Sequence, residues 1–248
     1  MLKIAVIPAR YGSKRFPGKP LANILDKPMI QWVYENVSKV KDLDDVYVAT
    51  DDERIIQCVK HFQGNVLMTS NKHTCGSDRI NECREILKLD NEDIILNVQG
   101  DEPLIQPEMI EELLAIFEDS EVYMATLKKQ MKEEEDFENP NIVKVVTDNY
   151  NNALMFSRYA LPYNRDGQKC MVYYKHIGIY GYKAGFLKHY STMEKSYLEQ
   201  MESLEQLRVL EHGFKIRVEE TQYQTIGVDT PEQLKEIEQR LKKELLHE

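Results

Sequence analysis

The sequence predicts an α/β protein: a mostly parallel central sheet with helices on both faces and a β-rich insertion in the second half. Three observations carry this. Short β-branched runs alternate with helix-spaced stretches through roughly the first 120 residues, the pattern of βαβ units. The second half then supplies several strand-like runs with little helix between them, which fits antiparallel additions to the sheet or a small β-rich lobe. The chain closes on helical patterns with clear start and stop residues. At 248 residues, 42% of them hydrophobic, it can bury a large core as one domain with an insertion.

Taken in order, "KIAVIPA" is a β-branched run ended by Pro8 and followed by a glycine-bearing loop. In "KPMIQWVYENVSKV", Met29, Ile30, Val33, Tyr34, Val37 and Val40 recur at helical spacing. "DVYVATD" reads as a strand, "DERIIQCVKHF" as a helix, "NVLMT" as a short strand and "SDRINECREILKL" as a helix. "DIILNVQGDEP" is a strand ending in Gly100 and two carboxylates. Beyond it, "EVYMATL", "NIVKVVTD", "NALMFSR" and "VYYKHIGIYGYK" are strand-like, and the charged run "KKQMKEEEDFEN" among them reads as an exposed helix or loop. "SLEQLRVLEHG" reads as a helix stopped by Gly213, and "TPEQLKEIEQRLKKELL" as a last helix with Thr230 as N-cap and Pro231 in its first turn.

Charge and cysteine usage exclude several classes. With 32 Lys and Arg against 42 Asp and Glu, the net charge is −10, so the global field repels nucleic acid. Cys58, Cys75, Cys83 and Cys170 form no C-x-x-C pair, which suggests neither a zinc site nor a disulfide framework and fits reduced thiols of the cytoplasm. The apolar run Ile4–Ala9 is too short for a signal-peptide core, and no later stretch is long enough for a membrane span. A soluble, cytoplasmic protein is expected.

Against this acidic background, "IPARYGSKRFPGKPL" gathers Arg10, Lys14, Arg15 and Lys19, with Lys27 just beyond, beside Gly12 and Gly18. Glycines that allow close backbone approach and cations on one loop after the first strand suit a small anion, a triphosphate in particular; a plain solvated basic loop is the alternative. The loop is neither G-x-x-x-x-G-K-[ST] nor G-x-G-x-x-G, so the P-loop and dinucleotide fingerprints fail. Asp101 and Glu102 follow a buried strand, where a carboxylate is costly to desolvate unless it meets a cation. Asp229 precedes a helix, where it serves either as a turn or cap residue or as a metal ligand. Two aspartates beside a polyphosphate loop would make a hard, oxygen-rich Mg²⁺ site. His176 in "KHIGIYGY" reads on its own as a core or surface histidine with ordinary pairing.

These stretches, with "VATDD", "GSDRI", "NVQGDEP", "KVV", "FSR", "ESLEQLRVLEHG" and "GVDTPEQL" in the same order, resemble the CMP-Kdo synthetases (3-deoxy-manno-octulosonate cytidylyltransferases) among the nucleotide-sugar cytidylyltransferases, almost end to end. The resemblance implies a Rossmann-like nucleotide-diphospho-sugar transferase fold, a homodimer, and the reaction of CTP with Kdo to give CMP-Kdo and pyrophosphate. It divides the chain into a nucleotide half (about 1–120), a sugar-binding and dimerisation part (about 121–220) and a return to the core (221–248) within a single cytidylyltransferase domain. It implies that Arg10, Ser13, Arg15 and Lys19 hold the triphosphate, with Pro8 and Ala9 beside the cytidine, and that Gly76, Ser77 and Arg79 lie near cytosine and ribose. Asp101 and Asp229 would bind Mg²⁺; Lys19, Arg15 and these two aspartates would form the catalytic set. Gln99, Arg158, His176, Tyr180, Glu205 and Gln206 would line the sugar-acid pocket. The chain departs from the family's "SGTDR" or "SGTER" in reading "CGSDR", so that Cys75 replaces a serine and Ser77 keeps a hydroxyl in place of threonine. "YNRDGQKCMVYYKH" is also short beside the family and borders the expected sugar pocket. The competing readings are the same chemistry on 8-amino-Kdo or a sialic-type acid, an NAD-dependent oxidoreductase, which lacks its glycine turn, and a non-catalytic nucleotide sensor.

Overall fold

A computed structural model describes residues 1–12, 15–73, 76–132, 136–167 and 171–245. The strands are β1 (Lys3–Pro8), β2 (Asn23–Ile24), β3 (Lys27–Pro28), β4 (Asp45–Thr50), β5 (Asn65–Met68), β6 (Ile94–Asn97), β7 (Met124–Gln130), β8 (Lys144–Thr147), β9 (Ala153–Ser157), β10 (Tyr174–Lys183) and β11 (Arg217–Glu220). The α-helices are α1 (Met29–Val37), α2 (Glu53–His61), α3 (Gly76–Ile86), α4 (Pro107–Ala115), α5 (Ala184–Tyr190), α6 (Tyr197–Glu202), α7 (Leu207–Glu211) and α8 (Pro231–Leu245). The chain forms two compact units.

The first unit comprises residues 2–89, 97–108 and 225–248. β1, β4 and β5 pair in parallel, with Ile4 opposite Asp45 and Tyr47 opposite Asn65. β1 is apolar because both of its faces are covered: Ile4, Ala5, Val6 and Ile7 are all buried. The chain leaving β6 continues alongside it, Val98 donating to the Val6 carbonyl at 3.0 Å. α1 buries Met29, Ile30, Val33 and Val37, the helical stripe expected from spacing. α2 starts at Asp52, whose carboxylate accepts from the Arg54 backbone N–H at 2.9 Å. α8 starts as the sequence implied: Thr230 accepts from the Gln233 N–H at 3.3 Å, while the Gln233 amide oxygen accepts from the N–H groups of Asp229 (2.7 Å) and Thr230 (3.1 Å). This helix is pinned by Ile237 and Leu241, which bury with Ile24, Met29, Leu104 and Val228, while Phe16, Trp32 and Leu234 pack around them. Burying each such side chain contributes about 1.5–3 kcal/mol.

The second unit comprises residues 1, 90–96 and 109–224. Its strand order is β11-β7-β10-β6, with β8 on β10 and β9 beyond β8. β7 with β10, β10 with β8 and β8 with β9 are antiparallel, in line with the strand-rich second half, whereas β11 joins β7 in parallel. Among the described residues no α-helix lies between β7 and β10, as expected for these strand-like runs; α5 and α6 follow β10, in a stretch for which the sequence reading named no element. The helix expected over "SLEQLRVLEHG" is shorter, starting only at Leu207. Ser203 adopts a left-handed conformation (φ 52°) that ends α6 and turns the chain before α7 can begin. α6 is opened by a capping box of Ser196 and Glu199, and the buried Glu199 also takes the buried Arg208 guanidinium from α7, at 2.7 Å to Nε. Of the charged run, residues 131–132 and 136–139 are loop and turn; Glu133, Glu134 and Glu135 lie outside the described residues. No helix among the described residues is long and apolar enough to cross a membrane.

Candidate active site

Where the loop after β1 turns back, Gly18 takes a left-handed conformation (φ 72°) and donates to the Tyr11 carbonyl at 2.9 Å. A side chain there would meet the Tyr11 ring at 3.1 Å, so the position requires glycine on two counts. The turn launches Lys19 into a single 3₁₀ turn, Lys19–Leu21, with its side chain only 12% exposed. Gly12, read as a second position of close approach, meets nothing within 4 Å among the described residues.

The Lys19 ammonium donates to Asp101 Oδ2 at 2.6 Å and to Asp229 Oδ1 at 3.3 Å. The Arg15 guanidinium reaches the other oxygen of Asp229 at 3.0 Å. Asp101 stands in the turn after β6, and its carbonyl accepts from the Val228 N–H at 2.9 Å, which ties the two aspartate-bearing segments together. Asp229 is therefore not the cap of α8. Thr230 and Gln233 perform that task and leave the Asp229 carboxylate to the two cations. Four residues from three distant stretches thus meet at one point. Of the two carboxylates after the buried strand, Asp101 meets a cation and Glu102 does not among the described residues. Burial first, and then the charge of Asp101, push the Glu102 carboxyl up to about 8, while a hydrogen bond to Thr225 pulls the other way. Glu102 is mostly protonated at neutral pH.

Around this cluster, Pro8 ends β1 and Ala9 follows it, buried and donating to the Ala49 carbonyl at 2.9 Å, and Arg10 is exposed. Ser13, Lys14, Cys75 and Cys170 lie outside the described residues. α3 begins at Gly76 and buries Ser77 and Arg79. Arg79 is fully buried; its guanidinium donates to Asp51 at 3.0 Å and to the Thr69 hydroxyl, bracing the ends of β4 and β5 against α3. Cys58 and Cys83 are free thiols.

The residues read as sugar-binding divide between the units, with Gln99 in the first and the other five in the second. On β10 a register shift falls between Ile177 and Tyr180, and the buried Thr126 hydroxyl gives its one proton to the nearer carbonyl, Ile179 at 2.6 Å, with the Ile177 carbonyl 3.0 Å away. With its single proton so used, Thr126 accepts from His176 Nε2 at 3.0 Å, so the imidazole carries its proton on Nε2 and keeps Nδ1 as an acceptor. Burial lowers the His176 pKa to about 3 and keeps the ring neutral at physiological pH. Phe156 lies edge-on to this ring at 5.0 Å and Tyr180 is tilted against it at 5.3 Å; the ring series continues through Tyr182 to Tyr190, whose hydroxyl donates to the Glu205 carbonyl at 2.8 Å. Burial, Tyr190 and Glu205 raise the Tyr180 hydroxyl well above its ordinary range, so it acts as a neutral donor. Gln206 is buried and immediately precedes α7. Arg158 stands apart: its guanidinium donates to the carbonyls of Glu202 (2.7 Å), Pro140 (2.9 Å) and Ser203 (3.4 Å).

Sequence reasoning missed two buried cations of the second unit. Lys144, fully buried, donates to the carbonyls of Asn139, Ile142 and Arg158, and Lys128 donates to Thr147 at 2.7 Å and lies over the Tyr174 ring. A lysine inside an apolar strand run was the available signal.

The donor set at Asp101 and Asp229 suits a hard divalent cation. Two carboxylates already share one positive group there, and no other His, Cys, Asp or Glu among the described residues joins them to make a group of three. A Mg²⁺ held at that point would complete its shell with water and substrate oxygens, the habit of this ion at phosphate sites.

The sequence profile described as cytidylyltransferase matches residues 4–218. The chain belongs to this family. The 3-deoxy-manno-octulosonate cytidylyltransferase of Thermodesulfovibrio yellowstonii is 49% identical over 97% of this chain and 98% of its own. The 8-amino-3,8-dideoxy-manno-octulosonate cytidylyltransferase of Shewanella pealeana is 50% identical over 95% of this chain and 97% of its own. A CMP:2-keto-3-deoxy-manno-octonic acid synthetase solved in complex with CTP superposes with a TM-score of 0.92 at 43% identity, covering 98% of this chain and all of that one. The α/β nucleotidyltransferase fold expected from the sequence is therefore the fold of this family member.

Proposed function

We propose that the chain joins CTP to Kdo, giving CMP-Kdo and pyrophosphate, as a single cytidylyltransferase domain. The observation that carries this is the convergence of Lys19 and Arg15 on Asp101 and Asp229 directly after the glycine-bearing loop, in a chain of the cytidylyltransferase family. In this reading the triphosphate lies on the loop against Arg10, Ser13, Arg15 and Lys19. Pro8, Ala9, Gly76 and Ser77 border the nucleoside, and Arg79 positions α3 from within. Gln99, Arg158, His176, Tyr180, Glu205 and Gln206 serve the sugar acid, His176 offering Nδ1 as a neutral acceptor and Tyr180 its hydroxyl as a donor.

The anomeric hydroxyl of the acid attacks the α-phosphorus in line as pyrophosphate leaves, a reaction in which positioning and charge neutralisation do most of the work. Asp101 and Asp229 would hold Mg²⁺, which when bound neutralises phosphate charge and makes the attacking hydroxyl more acidic. Lys19 and Arg15 meet the charge that grows on the leaving pyrophosphate. A homodimer working in the cytoplasm with small-molecule substrates, and without nucleic acid, completes the proposal.

A second reading, 8-amino-Kdo as the acid, is favoured by the Shewanella relative at a similar identity. Pyrophosphate release decides between them. With CTP and Mg²⁺, kcat/KM is expected to be highest for Kdo among Kdo, 8-amino-Kdo and a sialic acid, and UTP, ATP and GTP are expected to replace CTP poorly. A higher value for 8-amino-Kdo moves the assignment to that acid. No release with any pair removes the proposal.

A further inference from the structure

The Lys19 ammonium faces both carboxylates of the aspartate pair, from a side chain that is 12% exposed, and Arg15 takes a further oxygen of Asp229. Oxygen lone pairs turned toward an ammonium are the lone pairs a divalent cation would use, and two cations at one point repel strongly in so sheltered a place. Lys19 is also held where it is: the left-handed Gly18 and the 3₁₀ turn aim its stem, and the Ala22 N–H to Lys19 carbonyl bond (3.1 Å) closes that turn. The pair alone offers a metal only two side chains, fewer than a divalent cation needs for firm binding by protein groups. A triphosphate changes both conditions. Its oxygens compete for the ammonium and the guanidinium, and they supply the ligands the pair lacks.

We propose that Lys19 is an internal counter-ion that holds the Asp101–Asp229 pair against divalent cations until a nucleoside triphosphate draws its ammonium away, so that metal loads after nucleotide. The proposal rests on the reading of the two aspartates as the metal position. Lys19 thereby acts twice, as a gate on the pair and then as a phosphate partner. Arg15, 67% exposed and meeting Asp229 but not Asp101 among the described residues, contributes less to the gate.

The test is Mn²⁺ binding to the full chain stripped of metal, read by the electron paramagnetic resonance of the free ion, without nucleotide and with α,β-methylene-CTP. For the wild type, binding without nucleotide is expected to be weak and to tighten by about tenfold or more with the analogue. Lys19→Met keeps the stem and removes the charge. It is expected to bind Mn²⁺ without nucleotide about tenfold or more tightly than the wild type, and its melting temperature is expected to rise with Mn²⁺ where the wild type's does not. Wild-type binding that is as tight without the analogue as with it overturns the proposal and needs no variant to fold. A folded Lys19→Met chain with unchanged or weaker Mn²⁺ binding overturns it too. Analogue-dependent binding untouched by Asp229→Asn removes the pair as the metal position and this proposal with it, while pyrophosphate release by the wild type would leave the proposed reaction standing.

Discussion

Asp229 holds the most exposed carboxylate of the cluster, yet it is bonded to two cations and relieved of capping by Thr230. That division of labour separates function from stability at one position. Asp229→Asn leaves the cap and the buried Ile237–Leu241 stripe of α8 intact, so its thermal unfolding should stay close to that of the wild type. Its turnover should fall by about 10²-fold or more, the usual loss when one well-placed charged group is removed from a site of developing charge. Wild-type kcat in the folded variant would strip Asp229 of its role. Arg79 makes the opposite case. The family resemblance implies a place for it near cytosine and ribose; in the structure its guanidinium has no exposed surface and is committed to Thr69 and Asp51, and nothing in "GSDRI" distinguishes an outward arginine from a buried one.

At the scale of elements, the aspartate turn is placed by the close approach of Gly100 to the end of β1. A Cβ at Gly100 would stand 2.7 Å from the Pro8 carbonyl and 3.4 Å from Ile7, and the first of these is backbone that cannot rotate away. Gly100→Ala should therefore force β1 and the Asp101 turn apart at a cost of about 1–3 kcal/mol. Melting should drop by about 2–10 °C, and a drop under about 1 °C would show that the turn adapts freely. The need for this glycine was partly legible, since "NVQGDEP" ends a strand in glycine and carboxylates. Much of the first unit was legible for a similar reason: β1 is an unbroken apolar run ended by Pro8, β4 is a short apolar run, and α2 is amphipathic and opened by Asp52, whereas the two-residue strands β2 and β3 are too short to leave a pattern. The second half was harder to read. α5 and α6 are short, and what settles where α7 begins is a left-handed serine and a buried Glu199–Arg208 pair, neither of which leaves a periodic trace. The meeting of Lys19 with Asp101 and Asp229 likewise spans up to 210 positions. Local pattern suggests each of the three but not their contact; the order of the motifs, through family resemblance, brought them together.

For the molecule as a whole, the net charge of −10 belongs to the surface, whereas acid stability is shaped by what the core refuses to charge. His176 is the clearest such group. In the unfolded chain its imidazole takes a proton near its ordinary value of 6.5, while in the folded chain burial holds the pKa near 3. Between those values the unfolded state binds a proton that the folded state does not, so acid favours unfolding. The stability that goes with the neutral ring is fully present above pH 6.5 and is lost as the pH falls toward 3. One such proton tilts the stability curve by up to about 1.4 kcal/mol per pH unit within that window. Carboxylates titrate across the same range, but they do so equally in a variant that differs at one residue. His176→Gln retains an amide that can donate to Thr126 and has no proton to gain. Urea unfolding at pH 4 to 7 should give it a shallower acid limb than the wild type, with the gap closing above pH 6.5. Parallel curves would mean that His176 titrates normally in the folded chain, and the neutral acceptor assigned to the sugar side would fall with it.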